Sequence, residues 1–512
     1  MVEDTVRNQL LNLDKTFLEL CFACRIGDVE NADRLISTGV NVNGVDEFDN
    51  SPLFLASLCG HEEVVKLLLR RGSVCDRDRY EGARCIYGAL TDSIRNILLK
   101  YDISKAVDIK QPFASHLSSL VNDGAMLDFD FEFIFDDDFR LPVHKFMLAA
   151  RSSYFKRKFN GRWAQLKYKR MPKSSDAEAF SLMLKFIYLV PVLHELKREQ
   201  LKYISLLSVK LGFADLLLYL DRTNHVSDPS ERASLMNDYQ HKFNIYARGQ
   251  LEAYVRENIF ENKLSFSDGE DTHLDWQHLR EQPPFGDLVL RFVTSEGEQH
   301  AYVCHKSILI RSNFFKLMFS SSFQEATSEI PVISLPANKL SVAEVVLSYL
   351  YYDCTDIPWE IAIDVLKISD FLLTDRLKTM AAVTITQSQE FLTKYSIFDV
   401  LDVAWSCSVE RLEHYAAKHI ANDIEYYITD PLLTDAIMQS SRRIKSRQDT
   451  DTIELVDDIR FYLLQKYDLQ ADILVLLDTE DDIDFLKKSG LLEYKDDIEM
   501  LDKLLNEIGF DV

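Results

Sequence analysis

Hydrophobic positions along the chain recur with two periods, and each period predicts one kind of element. Between residues 129 and 135 phenylalanine occupies every second position, which predicts a half-buried strand. Arg140–Val143 is the predicted returning strand, after a turn at Asp136–Asp138. Most other segments show helical spacing, as in Val342, Val346 and Leu350. The pattern predicts a chain that is mostly α with small sheets, an α+β class.

Two segments near the start of the sequence repeat with a fixed period. Gly27 and Gly60 are 33 residues apart, and Asn50–Leu53 resembles the turn that opens a repeat helix. Proline at Pro52 suits this position because its ring pre-sets the backbone of a first helical turn. This is the period of ankyrin repeats, whose helices bury their apolar side against neighbouring repeats. A third, shorter unit runs from Glu81 to Leu99.

A second duplication lies downstream. Residues 142–159 and 303–319 share a His-Lys pair, a Leu four residues after the His, then Arg-Ser, two aromatic residues and a further Phe. His144 and His305 begin the helix after a hairpin in each copy, where a histidine can connect strand and loop by hydrogen bonds. The second copy is predicted to contain the strands Asp287–Thr294, Gln299–Cys304 and Ile330–Leu335. The first is predicted to continue with the helices Ala177–Tyr188 and Leu201–Leu220.

The hairpins, the His-Lys segments and the helix pairs resemble a BTB (POZ) domain, present twice. With the ankyrin period, the order of modules resembles the ankyrin repeat and BTB/POZ domain-containing protein family, as do the segments Gly82–Asp92, Ser152–Phe155 and Asp364–Leu373. The resemblance implies protein-binding modules without catalytic activity. An ankyrin solenoid followed by two BTB/POZ domains and C-terminal helices is the architecture it implies.

The resemblance also implies a partner, because many BTB domains bind cullin-3. In those that do, the loop after the central helix carries an apolar residue, any residue and then Glu. Phe323 and Glu325 fit this motif in the second copy, so we expect them to contact the cullin. The first copy has Trp163 and Gln165 at the matching positions, which departs from the motif.

The domain organisation follows from these assignments. We expect ankyrin repeats over residues 1–110, a first BTB domain over 111–221, a helical insert and linker over 222–284, a second BTB domain over 285–384, a helical region over 385–445 and an acidic helical tail over 446–512. Within the insert, residues 265–284 are predicted to form a loop.

Composition and motifs argue against several classes of function. The net charge of −24 opposes binding to nucleic acid and to anionic membranes, so we expect neither partner. Nucleotide-binding and hydrolase motifs are missing from the sequence, which predicts no enzyme, catalytic residue or cofactor. Cys21 and Cys24 have the spacing of half a metal site, but core packing is favoured. His300, Cys304 and His305 lack an obvious further ligand, so we expect no metal.

Eight scattered cysteines, and the lack of a signal-like apolar core in residues 1–10, favour a reducing compartment, either cytoplasm or nucleus. The leading functional hypothesis is an adaptor that holds an unidentified client on its ankyrin face and binds a cullin-3 type ubiquitin ligase. The alternative is a scaffold that bridges protein partners without a ubiquitin role. The two BTB copies are expected to self-associate between chains or to pair within one chain.

Overall fold

The computed structural model describes residues 15–75, 80–101, 112–122, 129–135, 139–190, 192, 197–226, 228–266, 281–294, 297, 299–320, 330–337, 339–443, 453–469 and 490–510. The chain divides into two compact units. The first consists of Met1–Asp356 with Phe371–Met380, and the second of Ile357–Asp370 with Ala381–Val512.

The first unit begins with three helix pairs, as the repeat period predicts. They are α1 (15–26) with α2 (Val29–Ser37), α3 (Pro52–Leu58) with α4 (Glu62–Arg70), and α5 (Tyr80–Tyr87) with α6 (Asp92–Leu99). Pro52 is the first residue of α3, and the Ser51 hydroxyl caps this helix by accepting a hydrogen bond from Phe54 N at 3.2 Å. Val64, Val65 and Leu68 are fully buried in a core that includes residues of all three pairs.

The first BTB copy contains a small mixed sheet and the helices around it. Its elements are α7 (Pro112–Asn122), β1 (Phe131–Ile134), β2 (Arg140–Val143), α8 (Lys145–Arg151), α9 (Ser153–Phe159), β3 (Tyr168–Arg170), α10 (Ala177–Ile187), α11 (Arg198–Leu211) and α12 (Asp215–His225). Strand β1 pairs antiparallel with β2 and parallel with β3. The prediction missed β3 because its residues lack an alternating apolar pattern. The predicted helix Leu201–Leu220 is two helices, separated where Gly212 adopts a φ of 94°.

The insert contributes a long helix, α13 (Pro229–Val255), that packs among the other modules. The Phe243 ring stacks on Phe186 of α10 with 4.0 Å between centroids. Ile245 of the same helix approaches Gly39, where a Cβ atom would be 3.0 Å from its Cδ1. Farther along, the Tyr254 hydroxyl donates a hydrogen bond to Pro284 O at 2.7 Å. The insert is therefore a structural element that contacts the ankyrin repeats and both BTB copies.

The second BTB copy repeats the plan of the first with one extra strand. Its elements are β4 (Leu264–Phe266), β5 (Leu288–Val293), β6 (Gln299–Cys304), α14 (Lys306–Leu309), α15 (Asn313–Ser320), β7 (Val332–Pro336), α16 (Leu340–Tyr352), α17 (Ala362–Phe371) and α18 (Asp375–Gln387). The sheet order is β4-β6-β5-β7. The predicted loop over residues 265–284 is wrong at its start, since β4 pairs antiparallel with β6. Residues 267–280 lie outside the described part of the chain.

The second unit is helical where the structure describes it. Besides residues 362–370 of α17 and 381–387 of α18, it contains α19 (Ile397–Cys407), α20 (Glu410–Asn422), α21 (Ile424–Tyr427), α22 (Pro431–Arg442), α23 (Glu454–Lys466) and α24 (Leu491–Glu507). Within the segment predicted as a helical tail, α23 buries Val456, Ile459 and Leu463. Lys466 pairs with Asp497 of α24 at 2.9 Å. None of the described helices is long and apolar enough to cross a membrane.

Candidate protein-interaction surfaces

The duplicated His-Lys segments adopt the same local structure in both copies. The backbone N–H of His144 donates to the Tyr188 hydroxyl at 2.9 Å, and that of His305 donates to the Tyr351 hydroxyl at 3.0 Å. Each hydroxyl also lies beside the Nδ1 atom of the same histidine, at 3.1 Å and 2.7 Å. The two histidines therefore have a structural role, as expected, and each connects its strand to the end of a following helix.

The lysine and the serine of the motif are matched as well. Lys145 N and Lys306 N donate to the carboxylates of Asp130 and Asp287, at 2.7 Å and 2.8 Å. The Ser152 and Ser312 hydroxyls donate to the carbonyls of Leu211 and Leu372, at 2.7 Å and 2.6 Å. These bonds hold the central helices against later helices. The motif shared by the two copies is therefore structural, and the duplication predicted from the sequence is real.

His305 is held as a neutral imidazole. Its Nε2–H donates to Pro284 O at 2.8 Å because a carbonyl can only accept, which leaves Nδ1 to accept a hydrogen bond from the Tyr351 hydroxyl. Burial lowers the pKa of His305 to about 3. Burial likewise lowers the pKa of His116 to about 3, and the Nε2–H of His116 donates to Ser307 O at 2.9 Å.

The two BTB copies contact each other within the first unit. The ring of Phe146, in the first copy, stacks on the ring of His305, in the second, with 3.9 Å between centroids. Phe159 of the first copy lies against Phe285, with 6.2 Å between centroids. His116 adds its hydrogen bond to the second copy from helix α7. The structure therefore shows pairing between the copies inside one chain, one of the two arrangements expected from the sequence.

A cluster of buried charges connects the ankyrin repeats to the second BTB copy. This buried ion cluster consists of Asp33, Arg71, Arg248, Arg311, Asp353 and Arg376. The Asp33 carboxylate of α2 pairs with Arg71 of the next repeat and with Arg376 of α18. Arg376 also lies 3.8 Å from the Asp353 carboxylate, which pairs with Arg311 at 2.6 Å.

Asp353 is the anion at the centre of the second copy's part of this cluster. Its side chain is fully buried, and Arg248 of α13 donates to its backbone carbonyl at 2.9 Å. Burial alone would raise the pKa of Asp353, but the guanidinium groups of Arg311, Arg376 and Arg248 outweigh burial and lower it. The carboxylate is therefore ionised at neutral pH, and three modules share one electrostatic contact.

The predicted cullin-contact residues Phe323 and Glu325 lie outside the described residues. The helix that precedes them, α15, presents Leu317 with 61% of its surface exposed. In the first copy, Trp163 packs against its own core instead, and its ring is stacked on Phe131 with 5.9 Å between centroids. Gln165, at the position of Glu325, is exposed. The first copy therefore lacks an exposed apolar residue at the first motif position, and it lacks the Glu in sequence.

Four of the residues considered as metal ligands are buried, and one of these, His305, uses both ring nitrogens in hydrogen bonds. Cys21 and Cys24 are buried in α1, and burial raises the pKa of the Cys21 thiol to about 11, which disfavours a metal-binding thiolate. Cys304 is fully buried, and both ring nitrogens of His305 are occupied by hydrogen bonds. Among the described residues, no three His, Cys, Asp or Glu side chains are grouped to hold a metal ion.

The ankyrin repeats expose apolar residues at matched positions. Ile26 and Tyr87 are the last residues of α1 and α5, the first helices of their pairs, and are 52% and 84% exposed. Each is followed by a glycine, Gly27 or Gly88. Phe22 lies one turn before Ile26 and is 60% exposed. An exposed row of this kind is typical of a surface that binds another protein.

The first BTB copy contains a basic segment that the net charge of the whole chain does not reveal. Residues 145–175 contain ten Lys and Arg and no Asp or Glu, although the net charge of the chain is −24. The matching residues of the second copy, 306–336, contain three Lys and Arg and two Glu. A count of charge along the sequence would have found the segment, because an average over the chain hides a local excess.

Comparisons with known proteins agree with these domains. A model of the BTB/POZ domain family matches residues 123–217 and 276–389, and a model of ankyrin repeats matches residues 20–69. The fold thus defines a protein built from interaction modules, a class that is typically non-catalytic.

Two relatives match the chain over almost its full length, and a third matches a short part of it. Ankyrin repeat-containing protein YIL001W of Saccharomyces cerevisiae is 49% identical over 98% of this chain and 99% of its own. BTB/POZ domain-containing protein 3 of Schizosaccharomyces pombe is 37% identical over 99% of this chain and 93% of its own. BTB/POZ domain-containing protein 9 of Drosophila melanogaster is 31% identical over 18% of this chain and 12% of its own. The chain belongs to the family of ankyrin repeat and BTB/POZ domain-containing proteins.

Proposed function

We propose that this protein is a non-catalytic adaptor that recruits a client protein to a cullin-3 type ubiquitin ligase. The observation that carries the proposal is the combination of an ankyrin array with two BTB copies, of which the second keeps an apolar-x-Glu motif, Phe323 and Glu325, after its central helix. In this proposal the second copy binds the cullin, and the ankyrin repeats bind the client.

The difference between the two copies supports this assignment of roles. The Trp163 ring packs against the aromatic core of its own domain, and Gln165 lacks the negative charge of a glutamate. The second copy presents the exposed Leu317 on the helix that leads to its motif. A large apolar side chain that enters a partner's pocket contributes about 2 kcal/mol or more to binding, so Phe323 would supply much of the affinity.

The absence of catalysis is part of the proposal, and it is supported by what the polar groups of the motif do. The two histidines, two lysine backbones and two serines of the duplicated segments all make internal hydrogen bonds. Groups used in this way hold the fold together and are not positioned to act on a substrate.

Cullin binding is tested with purified full-length protein and immobilised cullin-3 N-terminal domain. We expect wild type to be retained, and Phe323→Ala with Glu325→Ala to lose retention by about tenfold or more. Gln165→Ala in the first copy is the matched control and should bind as wild type. Equal retention of wild type and the double variant, or retention of neither, would contradict the proposal.

Client binding is tested on the exposed row of the ankyrin repeats. Ile26→Ser with Tyr87→Ser should leave thermal stability within about 1 kcal/mol, because both side chains are largely exposed. Proteins recovered by crosslinking in cells should be lost from this variant and retained by Phe323→Ala with Glu325→Ala. Unchanged recovery from the ankyrin variant would remove the client role from this face.

A scaffold without a ubiquitin role is the second candidate. It is favoured by the internal pairing of the BTB copies through Phe146 and His305, because in this pairing the BTB domains serve assembly. Under this alternative, client abundance should be the same in cells with and without the protein. If the protein is instead an adaptor of a ligase, its deletion should lengthen the half-life of the client.

A further inference from the structure

The first BTB copy carries a set of cations that no acidic side chain in the described ranges neutralises. This basic edge consists of Arg157, Arg162, Lys167, Lys169, Arg170 and Lys173. Five of them are exposed and Lys169 is partly exposed. Across the described part of the chain, none of the six forms an ion pair, whereas the neighbouring Lys156 pairs with Glu257 at 2.9 Å. The cations therefore remain available to an anionic partner.

Three of them, Lys167, Lys169 and Arg170, lie on or next to an open strand edge. Strand β3 is the last strand of its sheet, in the order β2-β1-β3. Lys167 O accepts from Glu132 N at 3.0 Å, and Met171 N donates to Ile134 O at 2.8 Å. Since backbone groups alternate in direction along a parallel strand, those of Tyr168 and Arg170 point away from β1. They make no hydrogen bond to any residue the structure describes.

Apolar side chains at this edge are also exposed. Tyr168 is 53% exposed and Leu166 is 39% exposed. Together with the outward backbone groups, they offer what an added strand requires: main-chain hydrogen bonds and side-chain contacts at alternate positions.

The second BTB copy shows that the features of this edge are particular to the first. Its equivalent strand, β7, is also at the end of its sheet and parallel to the first strand of its hairpin. That strand contains no Lys or Arg; Pro331 precedes it and Pro336 is its last residue. Lysine on an edge strand can have the sole role of preventing aggregation, without binding any partner. In the first copy, however, the cations continue to Arg157 on α9 and Arg162 in the next loop, which that role does not require.

We propose that the edge of β3 binds an acidic polypeptide segment in extended conformation by strand addition. The basic edge would attract the segment and pair with its carboxylates, while Tyr168 and Arg170 supply main-chain hydrogen bonds. A polypeptide fits better than a nucleic acid because an open strand edge matches a peptide backbone. The net charge of −24 also repels a long polyanion. This site uses none of the residues assigned above to cullin or client binding.

The test uses the full-length protein and a fluorescein-labelled peptide of alternating Glu and Val residues, followed by fluorescence anisotropy. We expect saturable binding that weakens with salt. Lys167→Glu with Arg170→Glu and Lys173→Glu should weaken it by about tenfold or more, since attraction becomes repulsion. Lys418→Glu with Lys495→Glu and Lys503→Glu changes the net charge equally at exposed positions of the second unit and should leave binding within about twofold.

A second variant separates strand addition from charge alone. Tyr168→Pro removes an outward N–H without changing charge, at an edge position where proline is tolerated. It should also weaken binding by about tenfold. Lack of peptide binding by wild type, equal effects of the two charge variants, or full binding by Tyr168→Pro would each overturn the proposal. Tighter binding of oligothymidine, or of phosphatidylserine vesicles, at the same residues would also overturn it.

Discussion

Replacement of Asp353 by asparagine tests the buried ion cluster most directly. Asp353 ends helix α16 with a φ of 57°, a left-handed conformation that asparagine adopts as readily as aspartate. The substitution therefore keeps the shape and the backbone and removes one negative charge. The lost charge faces Arg311 at 2.6 Å and Arg376 at 3.8 Å, in a side chain that is fully buried.

The size of the effect follows from leaving buried cations without their anion. Removal of one partner of a buried ion pair destabilises a protein by about 3–5 kcal/mol. Asparagine can still accept a hydrogen bond from Arg311 through its side-chain oxygen, so we expect the lower end, about 3 kcal/mol. Because domains are stable by only about 5–15 kcal/mol, a loss of this size is readily measured.

Urea denaturation followed by circular dichroism, with hydrogen exchange of helices α2 and α16, provides the measurement. Asp353→Asn should unfold at lower urea and lose amide protection in both helices, since the cluster joins them. Asp356→Asn makes the same chemical change at an exposed position and should shift stability by less than about 0.5 kcal/mol. If the two variants unfold at the same urea concentration, the cluster does not stabilise the contact between repeats and BTB domain.

Three further outcomes are expected. His116 and His305 have pKa values lowered to about 3, so their contribution to stability is complete above the unfolded value near 6.5 and falls as pH drops toward 3. Urea titrations should show roughly 2 kcal/mol lost per histidine between pH 6.5 and 5, and less loss in His116→Gln. Trp163→Ala should lower stability by about 3 kcal/mol in the same titration, because the ring packs on its own core. If Trp163→Ala unfolds at the same urea concentration as wild type, the ring of Trp163 is exposed and does not pack on the core. Mass photometry should report the 59.2 kDa monomer, since Phe146 and His305 pair the copies internally; a mainly doubled mass would contradict this.

The adaptor architecture follows from local patterns in the chain. The glycine spacing from Gly27 to Gly60 and the helix start at Pro52 predict the repeats because each repeat is a short unit with its own turn. The alternation around Phe131 and Phe133 predicts a strand, and the paired His-Lys segments predict the duplication. Each of these signals lies within a few tens of residues, so no distant contact is needed to interpret it.

The missed elements are those that a local pattern does not describe. Strand β3 is three residues long and basic, so its pairing with β1 depends on the sheet edge and not on apolar alternation. Strand β4 belongs to the insert, yet it completes the sheet of the second copy through β6. A count of charge along the sequence is enough to find the cations of the basic edge. The strand order is needed to know which backbone groups of β3 point outward.

The connections between modules were decided by tertiary contacts alone. Arg376 meets Asp33 across 343 positions of sequence, and Arg248 meets Ser37 across 211. Charged residues of this kind are normally expected at the surface, because burial of an isolated charge is costly. Only the packing of repeats, insert helix and second BTB copy brings opposite charges close enough to offset that cost. For this reason no periodicity in the sequence predicts these ion pairs.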